Sequence, residues 1–263
     1  MTSDYAVAIP SRARANTLVG CTLPTLIAGG VRPQDITVWV TEDEVEAYEA
    51  VVGEAFPRVT VQSHGGAPGM GNARNAIVRQ YVPGTRLVQV DDDIRSIDAR
   101  LDSKTLIAVE DIDGLFRRAF AAAAQQGVSL WGIYPVRNPY FMKPRLFVGL
   151  TYVIGCLFGM TVTGDPEEQV ITDDKEDYER SLRHFIRDGA VARLENVTVT
   201  SRFYTEPGGM QTYRTPETIE AGARTLVARW PDLCTYTVNK ARGTAEVRLK
   251  RMRGVSAPAV TVG

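Results

Sequence analysis

Hydrophobic positions along the chain change period repeatedly, and the changes mark the elements. Residues 5–9 form a short apolar run closed by Pro10-Ser11-Arg12-Ala13-Arg14, the pattern of a buried first strand followed by a basic loop. Asn16 or Thr17 can cap a helix that reaches Ile27 and stops at Gly29-Gly30. Residues 36–40 predict a second strand with Glu42-Asp43-Glu44 at its exit, 45–56 a helix, and 59–61 a third strand. A helix over 73–81 and a valine-rich strand over 87–90 follow, then an alanine-rich helix over 112–126 and a strand over 130–134. Residues 175–183 predict a helix with Tyr178, Leu182 and Phe185 on one face, and 191–200 a strand. The last helix spans 215–229 and is broken by Trp230-Pro231-Asp232-Leu233; residues 257–263 are expected to fray. Strands alternating with helices point to an α/β fold, a mostly parallel sheet covered on both faces. Ligands in such sheets sit at the carboxyl ends of the strands.

Residues 146–164 carry no charge and are long enough to cross a bilayer. They also hold glycines at 149, 155, 159 and 164 among Val, Thr, Phe and Tyr, which suits two buried strands with a tight bend. No membrane span is expected.

Composition narrows the classes. The 263 residues are 44% hydrophobic and 23% charged, enough for one large domain with an appendage. Thirty basic residues nearly cancel 31 acidic ones, so any nucleic-acid contact must come from a local patch. Cys21, Cys156 and Cys234 lie far apart with no CxxC pair, and residues 1–14 hold no apolar signal core. A reducing, cytoplasmic setting is expected.

The charge is unevenly placed. The strand over 87–90 ends in Asp91-Asp92-Asp93. Three adjacent carboxylates at a buried strand end need partners, and a hard divalent cation, Mg²⁺ or Mn²⁺, shared with substrate phosphates is one. An acidic turn lying in water is the plain alternative. Upstream, Gly65-Gly66-Ala67-Pro68-Gly69-Met70-Gly71-Asn72 leads into a helix carrying Arg74 and Asn75. Glycines let backbone approach a diphosphate and a helix N-terminus favours an anion, although a flexible connector would look the same. Residues 165–179 hold eight carboxylates against Lys175, with Glu176 and Asp177 in the first turn of a helix. Acidic residues are favoured there by the helix dipole without any chemistry. Tyr134, Arg137, Tyr140 and Phe141 form an aromatic stretch able to line an acceptor pocket, as are Gly208 and Gly209 in a substrate-facing loop. Between 240 and 253, Lys240, Arg242, Arg248, Lys250, Arg251 and Arg253 face only Glu246 in charge, a pattern suited to phosphate contacts or to a solvated tail.

The order of these features over about residues 5–211 resembles the GT-A class of nucleotide-sugar glycosyltransferases. That resemblance implies a GT-A-like catalytic domain over residues 1–214 and a helical, basic C-terminal extension over 215–263 packed on it. It implies that Asp91 and Asp93 hold Mn²⁺ or Mg²⁺ on the donor's diphosphate. Donor contacts would come from Pro10, Ser11, Arg12, Arg14, Glu42, Gly69, Gly71, Asn72, Arg74, Asp91 and Asp92. Asp177 would be the base that activates the acceptor, with Glu176 orienting the site. Many GT-A enzymes add a C-terminal histidine on the metal. His64 and His184 are not in that place, which leaves Asp91 and Asp93 to carry the metal alone, or with help from Glu206 or Gln211. Pro207-Gly208-Gly209-Met210-Gln211, the Arg229–Leu233 turn and the ending from Lys240 to Lys250 are similar to a narrower group. These are phage glycosyltransferases associated with TET/JBP-type hydroxylases. The likeness implies a phage-encoded enzyme moving glucose from UDP-glucose to 5-hydroxymethylcytosine in DNA. A glycan, lipid or protein acceptor, or a sugar nucleotidyltransferase, are the alternatives.

Overall fold

The computed structural model describes residues 4–201, 215–239, 243–252 and 254–262. In chain order the elements are β1 (Ala6–Pro10), α1 (Ala15–Gly20), α2 (Thr22–Ala28), β2 (Ile36–Val40), α3 (Val45–Ala55), β3 (Thr60–Ser63) and α4 (Met70–Val78). Then come β4 (Arg86–Val90), β5 (Ile94–Arg100), β6 (Leu106–Ala108), α5 (Ile112–Gln125), β7 (Leu130–Ile133), β8 (Arg145–Gly149) and β9 (Leu157–Thr161). The chain finishes with α6 (Glu176–Asp188), β10 (Val191–Leu194), β11 (Val197–Ser201), α7 (Pro216–Arg229), β12 (Cys234–Asn239), β13 (Thr244–Leu249) and β14 (Val255–Pro258).

A nine-stranded sheet in the order β14-β8-β10-β7-β9-β4-β1-β2-β3 forms the centre. Its pairings leave β8 and β9 running against the other seven strands, so the sheet is mixed but mostly parallel. Side chains alternate across it. Val7, Ile9, Val38, Val88 and Val90 face the core shared with Leu18, Leu23 and the α5 residues Leu115, Phe116 and Phe120. Ala8, Leu87, Phe158 and Met160 face the other way, toward Ile77 of α4 and Phe185 of α6. Each fully buried Ile, Leu or Phe contributes about 1.5–3 kcal/mol, so both faces are strongly committed. The strands pack closely at one point: a Cβ on Gly159 would lie 2.3 Å from the Trp131 ring, so bulk there would force β9 away from β7.

Several expectations are corrected. The helix expected to run from Asn16 or Thr17 to Ile27 is two helices broken at Cys21, because Pro24 offers no N–H to the carbonyl of Gly20. Residues 146–164 do give two buried strands, but the seven residues between them form a loop that enters the site below, not a tight bend. The strand expected over 191–200 is two strands, β10 and β11, parted at Glu195-Asn196. The pattern gave no hint of β5 and β6, which with β11 make a separate three-stranded sheet. The end of the chain does not fray. β14 pairs antiparallel with β8, Val260 is buried, and its carbonyl accepts from Asn196 Nδ2 at 2.9 Å. α7 and the antiparallel pair β12–β13 gather around Leu182, Leu226, Cys234 and Val247. Among the described residues no helix is long and apolar enough to cross a membrane.

Candidate active site

The ends of β1 and β4 and the start of β9 meet at one edge of the sheet, tied by the Asp91 amide donating to the Cys156 carbonyl at 2.9 Å. There the chain turns through Asp91-Asp92-Asp93. Thr22 at the start of α2 pins the turn, its hydroxyl donating to the Asp91 carbonyl at 2.8 Å and accepting from the Ile94 amide at 2.9 Å.

The three carboxylates go three ways. Asp92 is buried and wholly engaged: Ser11 Oγ donates to it at 2.6 Å and Arg14 Nη1 at 3.3 Å. Tyr48 closes this clasp through Ser11 and the Arg14 amide, at 2.8 and 2.9 Å. Ser11, Arg14 and Asp92, expected as donor contacts, thus also hold one another. Asp93 accepts from Ser201 Oγ at 2.6 Å. Asp91 accepts from Arg74 Nη2 at 2.8 Å. Burial pushes the Asp91 carboxyl up to about 7; Arg74 opposes this, while Asp93, Asp92 and Glu176 add to it. Burial likewise raises Asp92 to about 6, against the Ser11 hydrogen bond and Arg14.

Arg74 is the hub. Besides Asp91 it donates to Gln89 Oε1 at 3.0 Å and to the Gly155 carbonyl at 2.8 Å, and its Nε lies 3.2 Å from Glu176 Oε1. Gly155 sits close under this ladder: a Cβ there would come 2.9 Å from Glu176 Oε1, which would have to shift. Glu176 in turn takes Arg180 Nη1 at 2.5 Å, and the Arg180 guanidinium stacks on Phe158 at 3.7 Å. Beside this ladder, Asp177 has different partners: the Tyr152 hydroxyl and the Tyr178 amide, the latter at 2.9 Å. Burial raises its pKa and the neighbouring Glu176 carboxylate raises it further, against the Tyr152 hydrogen bond. The structure therefore brings Asp91, Asp93, Arg74, Glu176 and Asp177 into one cluster, as expected.

Other expected residues fall differently. The α4 N-terminus is already filled: Asp173 Oδ1 accepts from the Gly71 amide at 2.9 Å and the Asn72 amide at 3.4 Å. A Cβ at Gly69, where φ is +117°, would strike the Asp173 carboxylate at 2.4 Å. In this conformation Gly69, Gly71 and Asn72 hold the chain's own anion. Pro10 ends β1, and Glu42 stands exposed just after β2. His64, at the same edge, accepts from the Gly66 amide at 3.0 Å, and burial lowers its pKa. His184 lies inside α6, far from the acid turn in role: its Nδ1 meets Ser129 and Arg187.

The aromatic stretch is dispersed. Tyr134 lies under Arg193 at 5.3 Å, Arg137 is held by Asp98 at 2.8 Å, and Tyr140 and Phe141 pack edge-on at 5.2 Å while both stay exposed. A cavity of about 260 Å³ lies elsewhere, between α4 and α6 and lined by Gln89, Phe158, Arg180 and His184 among others. Arg248, Lys250 and Arg251 are exposed. Lys240, Arg242, Gly208 and Gly209, with Glu206, Gln211 and Arg253, lie outside the described residues.

Among the described residues no group of three or more His, Cys, Asp or Glu surrounds a common point as a metal cage. A donor-completed site is a different arrangement: Mg²⁺ is commonly held by one or two carboxylates plus substrate phosphates and water. Asp91 and Asp93 each engage one oxygen, and the crowding of carboxylates that raises Asp91 is the excess a cation relieves. The residues fit such a group.

Tyr152, Arg180, Asp173, Gly155, Ser201, Tyr48 and Thr22 were not picked out from the pattern. Arg180 had a readable signal, four residues after Glu176 on one helix face. The others act through partners distant in sequence and had none.

The fold has counterparts among solved structures. No protein-family model matches the chain, and no curated protein matches it. Solved structures do. Staphylococcus aureus TarS, residues 1–349, is similar with a TM-score of 0.50 at 12% identity, over 85% of this chain and 65% of that one. A mannosyltransferase from Pyrobaculum calidifontis, solved with GDP-Man and Mn²⁺, gives 0.40 at 14% identity over 60% and 44%. Mouse xyloside xylosyltransferase 1 gives 0.38 at 10% identity over 70% and 76%. The chain spans 44% and 65% of the first two proteins' solved lengths. What the chain shares with TarS is the fold, a GT-A-type mixed sheet flanked by helices.

Proposed function

We propose that the protein is a metal-dependent glycosyltransferase that moves a sugar from a nucleotide donor to a hydroxyl acceptor. The observation that carries this reading is Asp177: a carboxylate of raised pKa, held by a phenol and an amide, beside the Asp91–Asp93 turn. An acceptor hydroxyl needs a carboxylate base within hydrogen-bond reach as it attacks. Asp177 takes that proton, and Tyr152 keeps it oriented. Asp91 and Asp93 hold the divalent ion, which when bound offsets charge developing on the departing diphosphate. Arg74 keeps Asp91 and Glu176 apart yet close, and so fixes the distance between the donor and acceptor halves of the site. Pro10, Arg12 and Glu42 line the edge where a nucleotide base and ribose would lie. Filling of the α4 N-terminus by Asp173 favours a donor held mainly by the acid turn and this edge.

The acceptor we propose is a hydroxymethylated pyrimidine in DNA, with UDP-glucose as donor, on the strength of the C-terminal sequence likeness. One structural observation favours it. Arg248 shares a face of the β12–β13 hairpin with Glu246, which reaches Lys175 immediately before Glu176 and Asp177. In this reading Arg248 approaches the acceptor from that face. Incubation with sugar nucleotides and hydroxymethylated or plain DNA, read by nucleoside mass spectrometry, tests the assignment. A glucosylated nucleoside is expected. With Arg248, Lys250 and Arg251 all changed to Ala, DNA affinity should fall and its salt slope flatten by about 0.9 per lost phosphate contact. Transfer to a glycan or protein with no reaction on hydroxymethylated DNA would reject the acceptor and leave the glycosyltransferase reading.

A further inference from the structure

The first turn of α6 carries Glu176 and Asp177 yet has no side-chain cap of its own; its N-cap residue is Lys175. A lysine in that place adds nothing to the helix start, because the dipole there favours negative charge. Lys175 is nevertheless buried, at 8% exposure. What holds it comes from the far end of the chain. Its Nζ donates to Glu246 Oε1 on β13 at 2.7 Å, across 71 residues. α7 passes beside its stem with room for one more carbon: a Cβ at Gly222 would stand 3.5 Å from Lys175 Cγ. Glu246 is itself steadied, since the same Oε1 accepts from the Val247 amide at 3.1 Å.

The next contact follows directly. Lys175 Nζ lies 5.8 Å from the centre of the Tyr178 ring, and that ring stacks on Tyr152 with centroids 4.3 Å apart. Tyr152 is the residue whose hydroxyl holds Asp177. Tyr178 also packs into the cluster formed by α7 and the hairpin, with Leu226, Ala245 and Val247. Asp177 is therefore flanked by Lys175, two residues before it, and Tyr178, directly after it, both of which meet α7 or the paired strands β12 and β13.

We propose that Lys175 and Glu246 are positioning residues, through which the C-terminal helix and hairpin set the orientation of the Asp177 carboxylate. The inference rests on the reading of Asp177 as the acceptor base. Neither residue touches substrate in this account. Their ion pair fixes the backbone entering α6, and the Tyr178–Tyr152 stack carries that constraint to the carboxylate. A purely structural pair would lower stability and leave the chemistry of folded molecules unchanged.

The test is steady-state and single-turnover kinetics on Glu246→Ala, Glu246→Gln, Lys175→Met and the exchanged pair Lys175→Glu with Glu246→Lys. Donor affinity is measured separately by calorimetry with UDP-glucose and Mn²⁺, and the folded fraction by circular dichroism. Glu246→Ala and Lys175→Met are expected to lower kcat about 10-fold or more per folded molecule with donor Kd unchanged, since small misplacement of a reacting group is costly. Glu246→Gln, which keeps an acceptor oxygen, and the exchanged pair should each recover most of the loss. Where a single variant fails to fold, the comparison of Glu246→Gln and the exchanged pair with wild type decides. Unchanged kcat in the folded single variants, a loss confined to donor Kd, or no recovery by either Glu246→Gln or the exchanged pair would overturn the proposal. Full activity of Asp177→Asn would instead overturn the reading of the base on which it stands.

Discussion

The chain has two acidic regions, and they are built on opposite principles. In residues 165–179 nearly every carboxylate has a structural partner. Glu179 accepts from the Ile171 and Thr172 amides, from Thr172 Oγ1 and from Arg183, with contacts of 2.7–2.9 Å. Glu168 is paired with Arg187, Asp165 caps a short turn through the Glu167 amide, and Asp173 caps α4. At Asp91–Asp93 the carboxylates are crowded beside one another with Arg14 and Arg74 as their nearest cations, and burial with mutual repulsion lifts Asp91 and Asp92 to about 7 and 6. Acid content alone therefore says little. What separates the two regions is whether a carboxylate has cations or amide donors to itself or shares its surroundings with other buried carboxylates. Asp177 stands inside the first region but belongs with the second, because a phenol holds it where its neighbours have guanidinium groups.

That contrast can be broken at several points. The largest effect is expected at the acid turn. Asp91→Asn or Asp93→Asn should abolish turnover and remove the Mn²⁺ dependence of donor binding in calorimetry, with the circular dichroism spectrum intact; full activity in excess chelator would refute the metal role. Asp177→Asn should slow transfer by about 10²–10⁴-fold while donor affinity stays nearly constant. A product of retained anomeric configuration would rule it out as a simple inverting base.

Glu179→Ala probes the other side of the comparison. It leaves the Arg183 side chain and two amides without their buried acceptor, so denaturant unfolding should show about 3–5 kcal/mol less stability. The folded fraction should keep its rate constant, and a rate loss at full stability would place Glu179 in the chemistry. The smallest effect is a shift in pH profile. Asp177 must be ionised to accept a proton, so kcat should fall as pH drops through its raised pKa. Tyr152→Phe removes a hydrogen bond that lowers that pKa, and the acid limb should therefore move to higher pH. A limb that stays in place would mean it reports another group.

Legibility in the sequence followed the range of the interaction. The strands β1, β2, β4 and β7 and the helices α3, α5 and α7 are set by local periodicity, and their edges were readable to within a residue or two. The Asp91–Asp93 turn and the Glu176–Asp177 pair were readable because each is a run of like side chains. The break at Cys21 was readable in principle from Pro24, whose effect on the preceding turn is local. What was hidden depends on contacts across many residues: Asp173 on α4, Tyr152 on Asp177, Ser201 on Asp93. β5 and β6 escaped because their short sheet, closed by β11, alternates weakly. The tail at 257–263 looked unstructured because nothing in its composition reveals that β8 offers it a free edge.

That last strand changes how the C-terminal unit behaves as a mechanical object. β11 holds the chain up to Ser201 and β14 docks on β8 from Val255, so the helix and hairpin described between them are tied to the core at both ends. A tail fixed at one end explores a volume that grows with its length; a loop fixed at both ends stays close to its anchors. The basic face of the hairpin is consequently kept at a high effective concentration beside the Glu176–Asp177 turn without any contact of its own to the acid turn. Cutting the chain before Val255 would leave the hairpin's own hydrogen bonds and its packing on α6 in place and remove the second anchor, so that packing alone would hold it.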